Sequence, residues 1–449
     1  MSNIPPQPLS PLPLITTFAP TKQAKQYNML LIKNAKIIDP ASKYHGKQRD
    51  VFIRRGKIED IQTNISILKA KVIEAKGACL SPGWLDVGVQ VADPGFEHRE
   101  DIYSVTAAAA AGGYTGIVCQ PNTMPVTHSK SEVMYLKNRT KEALVDCFPV
   151  GAVSRDCAGE DLTEMNDMYH HGAIAFSDGQ KPIQDSGLMK RALLYAKGFD
   201  GVILNQPQDN SLAGKGQVHE GLVSTMLGMK GIPALAEEMM ACRDIYLAKY
   251  TDSRLHLSNI SCTNVVGMVK EARQEGLKVT SSAAVMNLIF EDEVMHSFNT
   301  NYKVLPPLRE KKDIKALLKG LKNGSIDFIS SNHNPQDEES KKVEFPYADF
   351  GTIGLQTTYA LLNTYLGDQF SQEELVHWLS LNARNIFGLE VPKIETGAVA
   401  NFTLFHPTKK WTFTKESILS KSKNSPFIGQ EFTGKVMAIG NKGLVEEFA

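Results

Sequence analysis

The feature that most constrains this chain is a repeated alternation of short apolar segments with helix-like segments through its middle. Segments such as 104–111 and 265–274 have helical character and lie between the apolar runs. The predicted strands are 83–91, 116–120, 147–153, 172–177, 201–205, 254–258, 278–281 and 326–331. Alternating strands and helices favour a parallel sheet, and eight such units over about 300 residues predict an α/β fold with a TIM-type (β/α)8 barrel.

Both ends of the chain have a different character from the middle. They contain short apolar runs rich in β-branched residues, separated by turn-forming glycines such as Gly46 and Gly56. The candidate strands are 30–37, 50–54 and 57–61 near the start, and 397–405 and 434–440 near the end. We therefore predict a proline-rich N-terminal extension over 1–28, a small β-sandwich built from 29–79 plus 397–449, and a barrel over 80–396.

Composition narrows the classes of function. The 449 residues contain 49 Lys plus Arg and 49 Asp plus Glu, so there is no global basic field of the kind that nucleic acids or membrane surfaces attract. No apolar run approaches the ~20 residues of a membrane helix. The six cysteines form no C-x-x-C pair, which argues against a zinc ribbon or a disulfide framework. We expect a cytoplasmic protein with reduced cysteines and neither a membrane nor a nucleic-acid partner.

The segment from Leu80 to Asp101 reads LSPGWLDVGVQVADPGFEHRED. It resembles the first barrel strand of dihydroorotases and other cyclic amidohydrolases, which carries Asp-x-His-x-His-x-Arg. The Pro-Gly-Phe-Glu-His-Arg-Glu-Asp part is intact, but Gly88 and Gln90 stand where the zinc-binding histidines belong. Ala92 stands where the family has a substrate-binding arginine. This resemblance continues from about Met29 to Phe405 and implies a metal-dependent hydrolase fold.

The residues of this chain can be compared with those of the dihydroorotase family at the other predicted strand ends as well. Gln206 and Asn259 occupy positions where the resemblance implies zinc-binding histidines. Asn332 stands where the family has an aspartate that is both a zinc ligand and the general acid/base. Glycine and amide side chains are poor zinc ligands compared with imidazole or carboxylate. The resemblance thus implies zinc, whereas the residues present predict that no metal or other cofactor is bound.

The substrate positions of the family are also altered. Leu305 stands for an asparagine and Gln336 for a histidine, whereas the asparagine of the Pro-Asn-Thr motif, Asn122, is kept. One carboxylate, Asp178, survives where the family usually has two. No catalytic residue is expected, and His98, His256 and His333 are interpreted as structural. The predicted vestigial pocket comprises Gly88, Gln90, Ala92, Asn122, Asp178, Gln206, Asn259, Leu305, Asn332 and Gln336.

Three hypotheses follow for the function. The first is a catalytically inactive dihydroorotase homologue in pyrimidine biosynthesis. Its partner would be aspartate carbamoyltransferase, since the family includes inactive chains that assemble with that enzyme, and a homodimer is also possible. The second is an active hydrolase of a cyclic amide with an atypical site, using Asn122, Asp178, Asn332 and His333. The third is a metabolite-binding module, for which the loss of the arginine at position 92 counts against a carboxylate ligand such as orotate.

Overall fold

The computed structural model describes residues 24–448, and an eight-stranded parallel sheet forms the centre of this part of the chain. Its strands are Trp84–Val89, Tyr114–Cys119, Asp146–Gly151, Ala175–Phe176, Val202–Asn205, Arg254–Leu257, Val279–Ala284 and Phe328–Ser330. Each strand pairs in parallel with its neighbours in chain order, which confirms the predicted barrel. The fourth strand is shorter than predicted because Gly172, at φ 109°, still belongs to the turn before it.

Helices between and after these strands cover the outside of the barrel. In the described residues they are Ile102–Ala111, Lys130–Arg139, Met165–His170, Ser186–Lys197, Asn210–Ala213, Leu222–Met226, Ala234–Thr251, Thr263–Gln274, Lys311–Asn323, Glu338–Lys341, Thr358–Leu366, Gln372–Val376 and Asn382–Ile386. The first begins at an N-cap, where the carboxylate of Asp101 accepts the backbone N–H groups of Tyr103 and Ser104 at 3.1 and 2.9 Å. Such a cap satisfies amides that have no partner within the helix.

The first and last barrel strands are joined through Asp86. Its Oδ1 accepts the Ser331 backbone N–H at 2.8 Å and its Oδ2 accepts the Ser331 hydroxyl. The backbone N–H of Gln90 donates to the His333 carbonyl at 3.0 Å across the same seam. Complete burial raises the pKa of Asp86 to about 6. The first and last barrel strands are therefore joined by a buried carboxylate that lies within the first strand and bonds to the residue directly after the last.

Both chain ends build one nine-stranded sheet, as predicted. Its strands are Lys25–Gln26, Met29–Ile37, Gln48–Arg54, Lys57–Gln62, Lys71–Glu74, Cys79–Pro82, Phe402–Thr412, Glu431–Asn441 and Leu444–Glu447. Cys79–Pro82 pairs with Met29–Ile37 on one side and with Phe402–Thr412 on the other, so it links the two ends. The predicted strand at 397–405 is wrong in its first half: Gly397, at φ 92°, lies in a turn, and the strand begins at Phe402.

The predicted N-terminal extension lies mostly outside the described residues, which begin at Ala24. Within the described part, Lys25 and Gln26 pair antiparallel with Val445 and Leu444. Between residues 24 and 448, no helix combines the length and the apolar character needed to cross a membrane.

Candidate functional site

A cavity of about 280 Å³ opens at the carboxyl ends of the barrel strands, and we call it the mouth cavity. Amide side chains supply most of its polar groups. Its lining residues are Gly88, Gln90, Arg99, Gln120, Gly179, Gln180, Gln206, Asn259, Val304, Leu305, Asn332, Asn334, Gln336, Asp349, Phe350 and Gly351. Seven of the ten predicted pocket residues are in this set; Ala92, Asn122 and Asp178 are not.

Gly88 lies on an irregular part of the first barrel strand. The pairing register with the second strand shifts between Val87 and Val89, and Gly88 has φ 93°. A Cβ added there would lie 3.3 Å from Nε2 of Gln120. Positive φ is costly for any residue with a side chain, so the backbone at this position favours glycine. The residue where the resemblance implies a histidine is held in a conformation that disfavours one.

A chain of hydrogen bonds crosses one side of the mouth cavity. Gln90 Nε2 donates to Oδ1 of Asn122 at 3.3 Å, and Asn122 Nδ2 donates to the carbonyl of Asp178 at 3.0 Å. Oδ1 of Asn122 also accepts the backbone N–H of Gln180 at 3.1 Å. These amides therefore bond to one another and to the backbone, and Asn122 holds the wall of the cavity in place.

A second chain crosses the opposite side. Asn259 Nδ2 donates to Oδ1 of Asn332 at 3.3 Å, and Asn332 Nδ2 donates to the Leu305 carbonyl at 3.0 Å. Oδ1 of Asn259 accepts the hydroxyl of Ser330 at 2.6 Å. Both asparagines have left-handed backbone conformations, with φ 53° and 50°, which asparagine tolerates better than most residues. Local amide bonds thus occupy two positions where the resemblance implies metal ligands.

Asp178, the carboxylate that remains on strand four, is directed into the protein. It is buried, and its two oxygens accept the backbone N–H of Ser154 at 2.9 Å and the Ser154 hydroxyl. Burial raises the pKa of Asp178, although the bonds from Ser154 oppose the shift. Asp178 therefore supports the wall of the barrel rather than the surface of the cavity.

The two histidines near the strand ends are also buried in the protein. His333 accepts the Gly354 backbone N–H on Nδ1 at 3.2 Å, and its Nε2 lies 3.4 Å from Glu100. His256 lies between the hydroxyls of Thr280 and Ser282, at 2.9 and 3.1 Å. Burial lowers the pKa of His256 to about 3. Neither imidazole lines the mouth cavity.

The remaining predicted residues differ in their partners. Gln336 donates from Nε2 to the Phe350 carbonyl at 3.1 Å, while its buried Oε1 has no hydrogen-bond partner among the described residues. Gln206 lines the mouth cavity. Ala92, at φ 62°, lines an adjoining cavity of about 370 Å³ that shares Gln90 and Arg99 with the first.

Sequence reasoning missed two charged residues at the mouth, Arg99 and Asp349. The Arg99 guanidinium lies 3.8 Å from Asp349 and 3.6 Å from Asp337. Lys181 adds a second cation to the wall of the adjoining cavity. Because Arg99 is paired with Asp349 and Asp337, it adds no uncompensated positive charge to the mouth cavity, and the expectation against a carboxylate ligand stays a prediction. Arg99 belongs to the intact Phe-Glu-His-Arg-Glu-Asp motif, and that motif was the signal in the sequence that could have indicated it.

Two buried lysines hold the segment 345–351, which contributes Asp349 and Phe350 to the mouth cavity. Lys303 Nζ donates to the Phe345 and Pro346 carbonyls at 2.9 and 3.1 Å. Lys341 Nζ donates to the carbonyls of Thr300, Asp349 and Gly351 at 2.6, 2.7 and 3.0 Å. Burial lowers the pKa of Lys303 to about 8 and that of Lys341 to about 7. This wall of the cavity is thus fixed by bonds to backbone oxygens.

The donor set at the strand ends does not fit a zinc ion. Zinc is bound in proteins by imidazole, thiolate and carboxylate groups. Across residues 24–448, no group of three or more His, Cys, Asp or Glu side chains is placed so that it could hold a metal ion. Asp349 is the one carboxylate among the described residues of the mouth cavity, and it is paired with Arg99.

Known proteins with a similar sequence or fold identify the family. The family model for dihydro-orotase-like proteins matches residues 77–264. Dihydroorotases of Thermoanaerobacter sp. (strain X514) and Pelotomaculum thermopropionicum are 38% and 39% identical over 410 and 424 residues. These alignments cover 91% and 93% of this chain, and 94% and 99% of the relatives.

Among solved structures, the L-hydantoinase (dihydropyrimidinase) from Arthrobacter aurescens has a similar fold, with a TM-score of 0.81 and 22% identity. That similarity covers 93% of this chain and 96% of the hydantoinase. The same barrel and sheet are therefore shared with a more distant cyclic amidohydrolase. With more than a third of its residues identical along nearly the whole length of the two bacterial relatives, the chain belongs to the dihydroorotase family.

Proposed function

We propose that this chain is a member of the dihydroorotase family that does not catalyse hydrolysis and binds no zinc. One observation supports this most: the polar side chains at the strand ends are amides bonded to one another and to the backbone. Metal-assisted hydrolysis needs ligands that hold the ion and lower the pKa of its bound water, and a group that accepts the proton. Amide side chains are poor zinc ligands, so they do not hold the ion. They also accept no proton, because they do not titrate in the neutral pH range.

An active hydrolase with an atypical site is the weaker alternative. It depends on Asp178 and His333, whose side chains are bonded inside the protein and do not line the mouth cavity. Asp349 would have to act as the general base in their place. Its carboxylate is half-exposed and lies 3.8 Å from the Arg99 guanidinium, so it is already paired with a cation of the protein.

Hydrolysis assays test the proposal directly. Purified protein is incubated with dihydroorotate, hydantoin and allantoin, alongside the Asp349→Asn variant and a surface control, Asp368→Asn. We expect no turnover above background for any of the three proteins. Turnover by the wild type and by Asp368→Asn that is lost in Asp349→Asn would overturn the proposal and identify Asp349 as a catalytic residue.

The same proposal assigns the barrel a structural or regulatory role beside aspartate carbamoyltransferase in pyrimidine biosynthesis. Membership of the dihydroorotase family supports this, together with the amides Asn122 and Asn259 at the mouth, which are bonded to neighbouring groups of the protein. Crosslinking followed by purification from the native cell should recover the carbamoyltransferase. Its consistent absence from crosslinked material would contradict this part of the proposal.

A second candidate function is the binding of a small cyclic amide without turnover. It is favoured by the Oε1 atoms of Gln120 and Gln336, which are buried at the mouth cavity and lack partners among the described residues. A volume of about 280 Å³ lies near the lower limit for ligand pockets, which are about 300–1,000 Å³. Dihydroorotate, orotate and uracil are suitable probes. A rise in melting temperature that Gln336→Leu abolishes would support binding, and no shift with any of them would exclude these ligands.

A further inference from the structure

A cavity separate from the mouth lies where the first barrel helix, Ile102–Ala111, packs beside the strand Leu444–Glu447 of the nine-stranded sheet. Its volume is about 370 Å³, within the range of about 300–1,000 Å³ that is typical of ligand pockets. The apolar part of its wall includes Ile102, Ala107, Ala110, Leu144 and Val145. It shares no lining residue with the mouth cavity. We call it the junction cavity.

The side chain of Glu446 is directed toward the junction cavity by the alternation of its strand. Val445, the residue before it, packs into the core of the nine-stranded sheet. Successive side chains of a strand point to opposite faces, so Glu446 points away from that core and toward the barrel helix. Its cross-strand partner, Ile439, belongs to the larger core that the barrel strands and helices share. Glu446 therefore lines the cavity with its carboxylate.

Glu446 is a buried acid without a partner. Only 3% of the residue is exposed, and its side chain makes no hydrogen bond or ion pair with any described residue. Burial raises the pKa of Glu446 to about 7, and no neighbouring cation opposes the shift. Asp86 and Asp178 are buried too, but each accepts hydrogen bonds from a serine. An unpaired buried carboxylate is costly, so a ligand that pairs with it would stabilise the folded protein.

The charges of the lining favour a cation as that ligand. Arg139 is the one basic residue among the described residues of the lining. Its guanidinium lies over the Tyr103 ring, 5.4 Å from the centroid, and forms no ion pair with Glu446. Glu142 is exposed and adds a second carboxylate. With both acids ionised, the described residues of the lining carry one uncompensated negative charge, which would repel an anion.

The apolar wall indicates which kind of cation fits. Ca²⁺ and Mg²⁺ prefer about six oxygen ligands, and in residues 24–448 no group of three or more His, Cys, Asp or Glu side chains is placed to hold a metal ion. An organic cation needs only one carboxylate, because the rest of the molecule can bury apolar surface against the wall. An apolar environment also strengthens the attraction between the two charges.

We propose that the junction cavity binds a small organic ammonium ion, whose protonated amine pairs with the Glu446 carboxylate and whose apolar body packs against the apolar part of the wall. Glu446 provides the charge that selects an amine over a neutral molecule of the same shape. The apolar side chains of the helix and of residues 144–145 provide the contact area. This inference is independent of whether the protein hydrolyses a substrate at the mouth.

The first test is calorimetric titration of the full-length protein with benzylamine and with benzyl alcohol, which has a similar shape but no charge. At about pH 8 the wild type should bind benzylamine at least about tenfold more tightly than benzyl alcohol. Glu446→Gln keeps the size of the side chain and removes its charge, so its affinity for benzylamine should fall at least about tenfold. Glu160→Gln, at an exposed position outside the cavity, is the matched control and should bind as the wild type does.

A second variant, Ala107→Leu, tests the volume of the cavity rather than its charge. The larger side chain fills part of the space while Glu446 remains, so the affinity for benzylamine should fall here as well. Circular dichroism establishes that each variant is folded. The proposal would be overturned by equal affinity of the wild type for the amine and the alcohol, by unchanged benzylamine binding in Glu446→Gln, or by no binding of benzylamine at millimolar concentrations.

The pH dependence of binding provides the last test. Pairing needs the ionised form of Glu446, whereas a primary amine stays protonated up to about pH 10. The affinity for benzylamine should therefore be constant above about pH 8 and fall by up to about tenfold per pH unit below 7. The other ionisable groups of the lining are Tyr103, Arg139 and Glu142. Glu142→Gln should keep this pH dependence and Glu446→Gln should lose it; the opposite result would assign the binding to the wrong carboxylate and contradict the proposal.

Discussion

Most polar side chains at the mouth of the barrel are neutral amides, whereas several in the wall of the barrel are charged. At the mouth, Gln90 and Asn332 are neutral and bond to neighbouring amides or carbonyls. In the wall, Asp86, Glu237 and Arg309 are charged groups, all buried and all hydrogen bonded. Ionisable groups are thus kept where the fold itself supplies the partner. At the mouth cavity the two ionisable groups, Arg99 and Asp349, lie 3.8 Å apart and pair with each other, and the remaining polar side chains are amides.

Physical chemistry explains why such an arrangement is stable. Several unpaired carboxylates and imidazoles in one concave site would repel one another and lose hydration. Amides avoid both costs because they are neutral and can donate as well as accept hydrogen bonds. The wall keeps its charges since removing one partner of a buried pair leaves the other uncompensated. A fold of this kind can therefore be stable without a metal site.

The largest expected effect comes from breaking a charge pair in the wall. Arg309→Leu leaves Glu237, buried and 3.3 Å from the lost guanidinium, without its counter-charge. We expect the free energy of unfolding to fall by about 3–5 kcal/mol. The exposed pair of Lys278 with Asp252, at 3.0 Å, is the matched control, and Lys278→Leu should cost less than about 1 kcal/mol. Urea titrations compare the two variants, and equal losses would contradict the distinction between buried and exposed charge.

The next prediction concerns the stability of the folded protein at acidic pH. Because burial lowers the pKa of His256 from 6.5 to about 3, the folded protein keeps this imidazole neutral while the unfolded chain takes up a proton. Its contribution to stability is complete above pH 6.5 and is lost as the pH falls toward 3, by about 1.4 kcal/mol per pH unit. His256→Gln should therefore lose less stability than the wild type between pH 6.5 and 4.5. Urea titrations at several pH values measure this difference. If the free energy of unfolding fell equally with pH in the wild type and in His256→Gln, the lowered pKa of His256 would be contradicted.

A smaller effect is expected at the irregular first strand. Gly88→Ala forces a side chain into φ 93° and should lower the free energy of unfolding by about 1–2 kcal/mol. Gly267, on an exposed part of the helix Thr263–Gln274 with open space around it, is the matched control. Gly267→Ala should stabilise the protein by about 0.5–1 kcal/mol. Thermal unfolding measures both, and a neutral Gly88→Ala would show that the strand adapts without strain.

The smallest effects are expected at the mouth itself. Asn332→Ala removes the bonds to Asn259 and to the Leu305 carbonyl and should cost about 1 kcal/mol. Gln206→Ala should change the free energy of unfolding by less than about 0.5 kcal/mol. Denaturant titrations compare the two. A much larger loss in the free energy of unfolding for Gln206→Ala would mean that the Gln206 side chain makes a stabilising contact that the proposal does not include.

The barrel could be predicted because its strands are continuous apolar runs separated by helical segments. The start of the strand Phe402–Thr412 could not, since the residues before it are as apolar as a strand but lie in the turn of Gly397. The periodicity of a sequence shows which residues are apolar, but it does not show at which residue the hydrogen bonding of a strand begins. For the same reason, the fourth barrel strand was predicted to be longer than the Ala175–Phe176 strand of the structure.

The positions of the mouth residues were predictable from their place at the strand ends, whereas the directions of their side chains were not. Asp178 follows a strand like its neighbours, but its carboxylate is bonded to Ser154 in the wall. His333 follows Asn332, whose left-handed backbone changes the direction of the chain. Arg99 reaches the mouth from a loop, and no strand pattern could place it there. Side-chain direction depends on contacts distant in sequence, which a single sequence does not contain.

The most direct measurement is the metal content of untagged protein purified without chelators, taken together with dihydroorotate hydrolysis in the presence and absence of added zinc. A mouth lined by amides predicts far less than one zinc ion per chain and no turnover under either condition. One or two tightly bound zinc ions per chain, with turnover that depends on them, would contradict the account. It would mean that the chain binds metal through ligands other than those at positions 88, 90, 206, 259 and 332.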